Sequence, residues 1–323
     1  MYSPDFADAA RHFIQRGWQA EQLGEAIWRY RPPRAPALRL LLSAGVHGDE
    51  TAPIELLARR LPAWAAADEV RDVELCVALG NLDAIAASRR FIHQDMNRLF
   101  GETGAYPGAG SSSGEVRRAA QLRQAAAGFI AHGPGALTVH LDLHTTIRPS
   151  LRSTFAIVPT ADTSSPILRW LGRARLQAAV LGAVSAPTLS AFSARRGALA
   201  CTVELGRVGV FGGNDIGVLA SFEQGLDSLV RAPEREWTAV GPSPIEVFQV
   251  TQELVRHSEH FELLVPASAP NFTPLRPDQV VARDEGRIYL SRHPGECVLF
   301  PNPSVALGQR AGLLAAPLAA ARA

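Results

Sequence analysis

The chain contains no lysine: all 32 of its basic residues are arginine. Mechanisms that need an amine nucleophile, a Schiff base or a phosphate-loop lysine are therefore excluded. Cysteine is scarce as well. Cys76, Cys201 and Cys297 are odd in number and far apart, which suits neither a disulfide framework nor a thiolate metal cluster and predicts buried, reduced thiols. Charge of one sign is also missing, since 32 basic against 31 acidic residues leave a net charge of +1. That is too little to gather nucleic acid or anionic lipid. No apolar run approaches the ~18 residues of a membrane span, and Met1–Trp18, with Asp5 and Asp8, lacks the apolar core of a signal peptide. The expectation is a soluble, cytoplasmic protein with no nucleic-acid or membrane partner. The Gly-Ser-Ser-Ser-Gly run at 110–114 lies in a glycine- and serine-rich loop rather than directly after a strand, so it does not read as the nucleophile elbow of a serine hydrolase.

What is present is an ordinary globular composition, 47% apolar and 20% charged over 323 residues. At roughly 150 residues per domain this predicts two domains, or one large domain with an appendage. Apolar, branched runs of strand length at Ala37 to Val46, Val73 to Leu79, Leu137 to Leu143, Thr154 to Val158 and Leu199 to Leu205 alternate with helical patterns. The helices are expected at Ala52 to Ala67, Glu115 to His132, around Ile167 to Val184, and at Ile216 to Ala232. Such alternation predicts an α/β sheet with helices on both faces, whose ligands gather at the carboxyl ends of strands. Beyond Pro242 the pattern turns to short β-rich runs punctuated by Pro, Gly and Asn. The expected division is a catalytic α/β unit over residues 1–242 and a smaller β-rich unit over 243–323. Gly101 to Gly114, rich in Gly and Ser, reads as a mobile loop.

The polar groups at strand ends carry the chemistry. His47 and Glu50, three apart after the first strand, can turn towards one point and serve as two metal ligands, although exposed neighbours are the commoner meaning of that spacing. A catalytic zinc site commonly adds a third protein ligand and leaves one position for water. His144, ending the strand that carries His140 and Asp142, is the best third ligand, with Asp142 placed to hydrogen-bond its ring. Arg89, Arg90, Asn97 and Arg98 lie within one short stretch suited to bind carboxylates; Arg89 reads as solvated and His93 as structural. Glu204 is a carboxylate in a strand otherwise fit for burial. It must pair with an arginine such as Arg195, Arg196 or Arg207, bind metal, or hold a raised pKa suited to acid/base work.

At these positions the sequence resembles the succinylglutamate desuccinylase/aspartoacylase family of zinc amidohydrolases. GVHGDE, GNLDAIAASRRFIHQDMNRLF, DLHTT and ACTVELG appear in the family order, and VLFPNPSVALGQRAGLL is similar to the desuccinylase branch. The resemblance implies a zinc-carboxypeptidase-like mixed sheet with a C-terminal β-rich domain and one zinc ion held by His47, Glu50 and His144. It further implies Glu204 as general base, Arg90 beside the scissile carbonyl, and Asn97 with Arg98 on a substrate carboxylate. Arg195 or Arg196 is the implied additional substrate arginine, and Tyr289 matches no family position clearly. The implied reaction is hydrolysis of N-succinyl-L-glutamate, the last step of arginine breakdown by the succinyltransferase route. The alternatives are an aspartoacylase-like deacylase of another small anionic N-acyl amino acid, or a scaffold that only binds a ligand or a structural metal.

Overall fold

The structure is a computed structural model, and it describes residues 3–101, 113–131, 135–182, 186–239 and 245–318. Most of the glycine-serine loop expected over residues 101–114, and the expected boundary at 242/243, lie outside the described residues. In chain order the elements begin with α1 (Phe6–Gln15), β1 (Gln19–Gly24), β2 (Ile27–Arg31), β3 (Leu38–Ala44), α2 (Thr51–Ala66), β4 (Val73–Leu79) and α3 (Leu82–Ala86). They continue with α4 (Gly114–Ala131), β5 (Leu137–Thr146), β6 (Thr154–Val158), α5 (Pro166–Arg173), β7 (Ala178–Leu181), α6 (Leu189–Ala194), β8 (Leu199–Arg207), α7 (Ile216–Arg231) and α8 (Pro233–Thr238). The remainder is β9 (Glu246–Val255), β10 (Glu262–Leu263), β11 (Thr273–Pro274), β12 (Val280–Asp284), β13 (Arg287–Leu290), β14 (Cys297–Leu299) and β15 (Arg310–Pro317).

Twelve of the described strands form one mixed sheet, ordered β1-β2-β4-β3-β5-β8-β6-β7-β9-β15-β14-β11, and β10, β12 and β13 form a second. The central strands β4, β3, β5 and β8 are parallel, and β6 runs antiparallel to β8. Helices cover both faces, as expected. Strand alternation explains the two layers: Leu40, Leu42, Leu75, Val77, Leu141 and Val203 pack with residues of α1, α2, α5 and α7. Leu41, Cys76 and Ala78 face the other way, towards α4 and α6. The three cysteines are free and buried. Among the described residues no helix is long and apolar enough to cross a membrane.

The helix expected around Ile167 to Val184 is interrupted. It ends at Arg173, and Arg175 adopts a left-handed conformation (φ 63°) before β7. The Ala-Ala-Val-Leu segment becomes a buried strand through its parallel pairing with β6 and β9. That same pairing carries the sheet on into the C-terminal strands. Phe155 and Val180, on β6 and β7, pack against Phe248, Phe272, Leu299 and Leu313, and the Phe155 and Phe272 rings meet edge to face at 5.0 Å. The C-terminal part is thus anchored on the face of β6 and β7 beside the carboxyl end of β8.

On the α4/α6 face β5 carries His140, Asp142 and His144, all buried; Leu41 and Ala200 flank His140, while Ser43 and Thr202 flank Asp142 and Glu204 pairs with His144. Each such position forgoes roughly 1.5–3 kcal/mol of apolar burial. Those polar groups are tolerable only because they are hydrogen-bonded.

Candidate metal centre and substrate cavity

The turn after β3 brings His47 and Glu50 together because its glycines allow it. Gly45 has a φ of 70°, where a side chain is strained. Gly48 lies so close to α3 that a Cβ would sit 2.1 Å from the Ala84 carbonyl carbon, and its N–H donates to the Arg90 carbonyl. Glu50 then stands at the N-cap of α2 without capping it. Its carboxylate instead accepts from His47 Nδ1 (2.7 Å), His144 Nδ1 (2.8 Å), the Thr145 N–H (3.0 Å) and Arg90 Nη1 (2.9 Å). The positive end of the helix dipole favours the ionised form there.

His144 reaches Glu50 from the end of β5, where the pairing with β8 changes register. His144 pairs with Glu204 but Thr146 pairs with Arg207, so β8 bulges at Gly206 (φ 83°). Bulges of this kind re-aim side chains beside functional sites. Behind the imidazoles stand further acids. His47 Nε2 lies 3.0 Å from Asp95 Oδ1, and His144 Nε2 lies 3.2 Å from Asp142 Oδ2. Asp142 Oδ1 also accepts from Ser43 Oγ at 2.5 Å, and Ser43 Oγ is 2.8 Å from His140 Nε2. Since the Ser43 hydrogen goes to Asp142, His140 must donate through Nε2 and accept from Ser193 Oγ at Nδ1, 2.8 Å away. Burial lowers the His140 pKa to about 4, which agrees with that neutral tautomer.

Electrostatics single out the point between the imidazoles. Burial alone depresses the His47 and His144 pKa values, yet both are raised because Glu50 and Asp95 face the first and Asp142 and Glu50 the second. Burial likewise opposes ionisation of Glu50, but the two histidines hold its pKa well below the usual range. Three carboxylates thus demand positive charge at one place. A cation meets that demand, and the donors fit one: a ligand atom from each of His47, Glu50 and His144 lies within 4.8 Å of the others, all buried. Two imidazole nitrogens and a carboxylate form the donor set of many catalytic zinc sites. Beside them Glu204 is buried, with Oε2 lacking a hydrogen-bond partner. Burial pushes its pKa up to about 7 against the pull of His144, with Glu50 adding to the rise.

These groups open onto a cavity also lined by Arg90, Asn97 and Arg98. Asp95 caps the short turn Met96–Arg98 by accepting from the Asn97 N–H at 2.9 Å, which presents Asn97 and Arg98 to the cavity. Asn97 is buried, and its Oδ1 has no partner. Arg89 is exposed, in keeping with its reading as solvated, whereas His93, expected to be structural, is 68% exposed beside Glu115.

Neither Arg195 nor Arg196 lines the cavity. Arg195 donates to the Phe100 and Ala186 carbonyls, and Arg196 stacks on the Phe192 ring at 3.6 Å. Tyr289 donates to the Val255 carbonyl inside the C-terminal core. Sequence reasoning missed the contact of Asp95 with His47, although the Asp sits two residues before Asn97. It also missed Arg148, Asn271, Phe300 and Arg310, which line the cavity; the last three come from the C-terminal part.

Two family models match the sequence: the succinylglutamate desuccinylase/aspartoacylase catalytic domain over residues 36–230, and the AstE/AspA barrel-sandwich hybrid domain over residues 243–318. The succinylglutamate desuccinylase of Burkholderia cenocepacia is 41% identical over 306 residues, covering 92% of this chain and 87% of that one. The crystal structure of the succinylglutamate desuccinylase from Chromobacterium violaceum is similar at 33% identity and a TM-score of 0.79, covering 99% of both chains. That from Vibrio parahaemolyticus gives 28% identity and a TM-score of 0.81 over 94% of this chain and 89% of that one.

Proposed function

Because the chain belongs to the succinylglutamate desuccinylase/aspartoacylase family, we propose that it hydrolyses the amide bond of N-succinyl-L-glutamate to succinate and L-glutamate. One zinc ion per subunit is held by His47, Glu50 and His144, and the reaction closes the succinyltransferase route of arginine breakdown in the cytoplasm. Residues 1–242 form the catalytic unit and 243–323 the β-rich unit.

Zinc held by three protein ligands polarises a carbonyl and brings the pKa of water down to about 7. The chain's own residues do the rest. Glu204 removes a proton from the attacking water and passes it to the departing amine nitrogen, work for which a pKa of about 7 is well matched. Arg90 donates to the oxygen that gains charge as the carbonyl becomes tetrahedral. Asn97 and Arg98 bind a substrate carboxylate through amide and guanidinium donors. Asp95 and Asp142 face Nε2 of His47 and of His144 and would hold the two rings in orientation for a metal.

The function draws its main support from one observation: two imidazoles and Glu50 converge within 4.8 Å beside a buried carboxylate whose Oε2 has no partner. The decisive experiment is an assay of succinate release with purified protein. Activity is expected to vanish with a chelator and return with added zinc. Turnover that ignores the chelator excludes the metal mechanism, and faster turnover of N-acetylaspartate than of N-succinylglutamate moves the enzyme to the aspartoacylase branch.

A further inference from the structure

The proposed reaction leaves two guanidinium groups of the cavity, those of Arg148 and Arg310, without a task. Arg148 lies four residues beyond His144 and lines the cavity. Its backbone is pinned on both sides: Thr146 Oγ1 donates to the Arg148 carbonyl at 2.8 Å, and the Asn271 N–H donates to the Pro149 carbonyl at 2.9 Å. Asn271 in turn accepts from the Leu151 N–H at 3.0 Å, so a C-terminal residue holds this segment in place. Among the described residues the Arg148 side chain has no hydrogen bond or ion pair. A planar fork presented to a cavity without an internal acid is a receptor for an incoming carboxylate.

N-succinylglutamate carries three carboxylates, and the groups already assigned do not serve all of them. Asn97 and Arg98 take one, Arg90 is engaged with Glu50 and the scissile carbonyl, Arg310 has a partner of its own, and Arg195 and Arg196 point elsewhere. Apolar side chains are also present: Ile147, Ile157 and Phe300 line the same cavity and suit the two methylenes of a succinyl chain.

We infer that Arg148 receives the terminal carboxylate of the succinyl group and so selects a dicarboxylic acyl chain over a monocarboxylic one. The inference rests on the reaction proposed above. It also gives the C-terminal part a role, because Asn271 fixes the segment that presents the fork.

The test compares N-succinylglutamate with N-butyrylglutamate, whose acyl chain lacks the terminal carboxylate, in the zinc-loaded wild-type enzyme and in Arg148→Gln and Arg148→Lys. The wild type should prefer the succinyl compound, and Arg148→Gln should lower the ratio of the two kcat/KM values by roughly 10- to 100-fold, the worth of a charged hydrogen-bonded contact. Arg148→Lys should recover part of that ratio, since charge returns without the fork. A ratio in Arg148→Gln equal to the wild-type ratio, with both substrates slowed alike, overturns the assignment and makes Arg148 structural. A wild-type enzyme that cleaves both compounds equally well also overturns it while leaving the hydrolytic function intact. Wild-type inactivity on N-succinylglutamate, by contrast, removes the proposed function and this inference with it.

Discussion

His144 and Glu204 are register partners on the parallel strands β5 and β8, on the side of the sheet opposite to Leu143, Val203 and Leu205. Parallel pairing at the carboxyl ends of two central strands sets an imidazole beside a carboxylate. Burial then keeps that carboxylate from ionising until about neutral pH. Its proton affinity is therefore a product of the sheet register rather than of any local sequence around Glu204.

Glu204→Gln preserves shape while removing the base. Zinc content measured by elemental analysis should be unchanged, and kcat on N-succinylglutamate should fall by at least ~100-fold, the low end of general acid/base contributions. Turnover within about tenfold of wild type would rule Glu204 out as the base, and loss of zinc would make it a ligand.

Asp95→Asn leaves the fold of the Met96–Arg98 turn its cap but takes the charge from behind His47. Zinc affinity, read by competition with a chromophoric chelator, should weaken by about 10- to 100-fold. An unchanged affinity would show that Asp95 does not orient the ring.

Gly48→Ala forces a Cβ to within 2.1 Å of backbone, which no side-chain rotation relieves. Unfolding should become easier by at least about 2 kcal/mol, and the metal site should be disturbed because the same turn carries His47 and Glu50. A variant with wild-type melting temperature and zinc content would contradict the close packing of the turn on α3.

Glu74 stands at the other end of the sheet's chemistry, as a structural acid. It is buried and accepts from Arg29 Nε at 2.5 Å and Arg39 Nε at 2.7 Å, with Arg39 1% exposed. Burial alone would raise its pKa, but the Arg39 and Arg29 guanidinia outweigh that and hold it below the ordinary 4.5. Since the folded value is depressed, the stabilisation is complete above pH 4.5 and is lost as pH falls below it, through the folded-state pKa. Glu74→Gln should cost about 3–5 kcal/mol at neutral pH by leaving buried arginines uncompensated. Melting curves between pH 5 and 3 should slope less for the variant than for wild type; equal slopes would show that Glu74 does not link folding to protons.

Legibility in the sequence followed the range of the interactions. β4 and β6 occupy the spans expected from their apolar runs, since a continuous branched segment of that length has little alternative to a buried strand. The stretch from Ile167 to Leu181 misleads because its apolar residues recur at helical spacing. Only pairing with β6 and β9 turns its second half into a strand. The hairpin of β1 and β2 was not anticipated, for its first strand is mostly polar and owes its conformation to its partner.

The same division governs the site. His47 and Glu50 are legible together because one glycine-containing turn directs both, and His144 because a polar cluster ending an apolar strand is costly without a purpose. The contacts of Asp95 with His47, of Asn271 with the segment bearing Arg148, and of Ser43 with Asp142 join positions dozens of residues apart or more. By itself the sequence determined the strand-and-helix order, the turn chemistry and the kinds of side chain at strand ends, all set by covalent geometry and local burial. The tertiary structure alone decided which of those side chains share a point in space. Charge attraction and desolvation act through space, and only the folded sheet sets those distances.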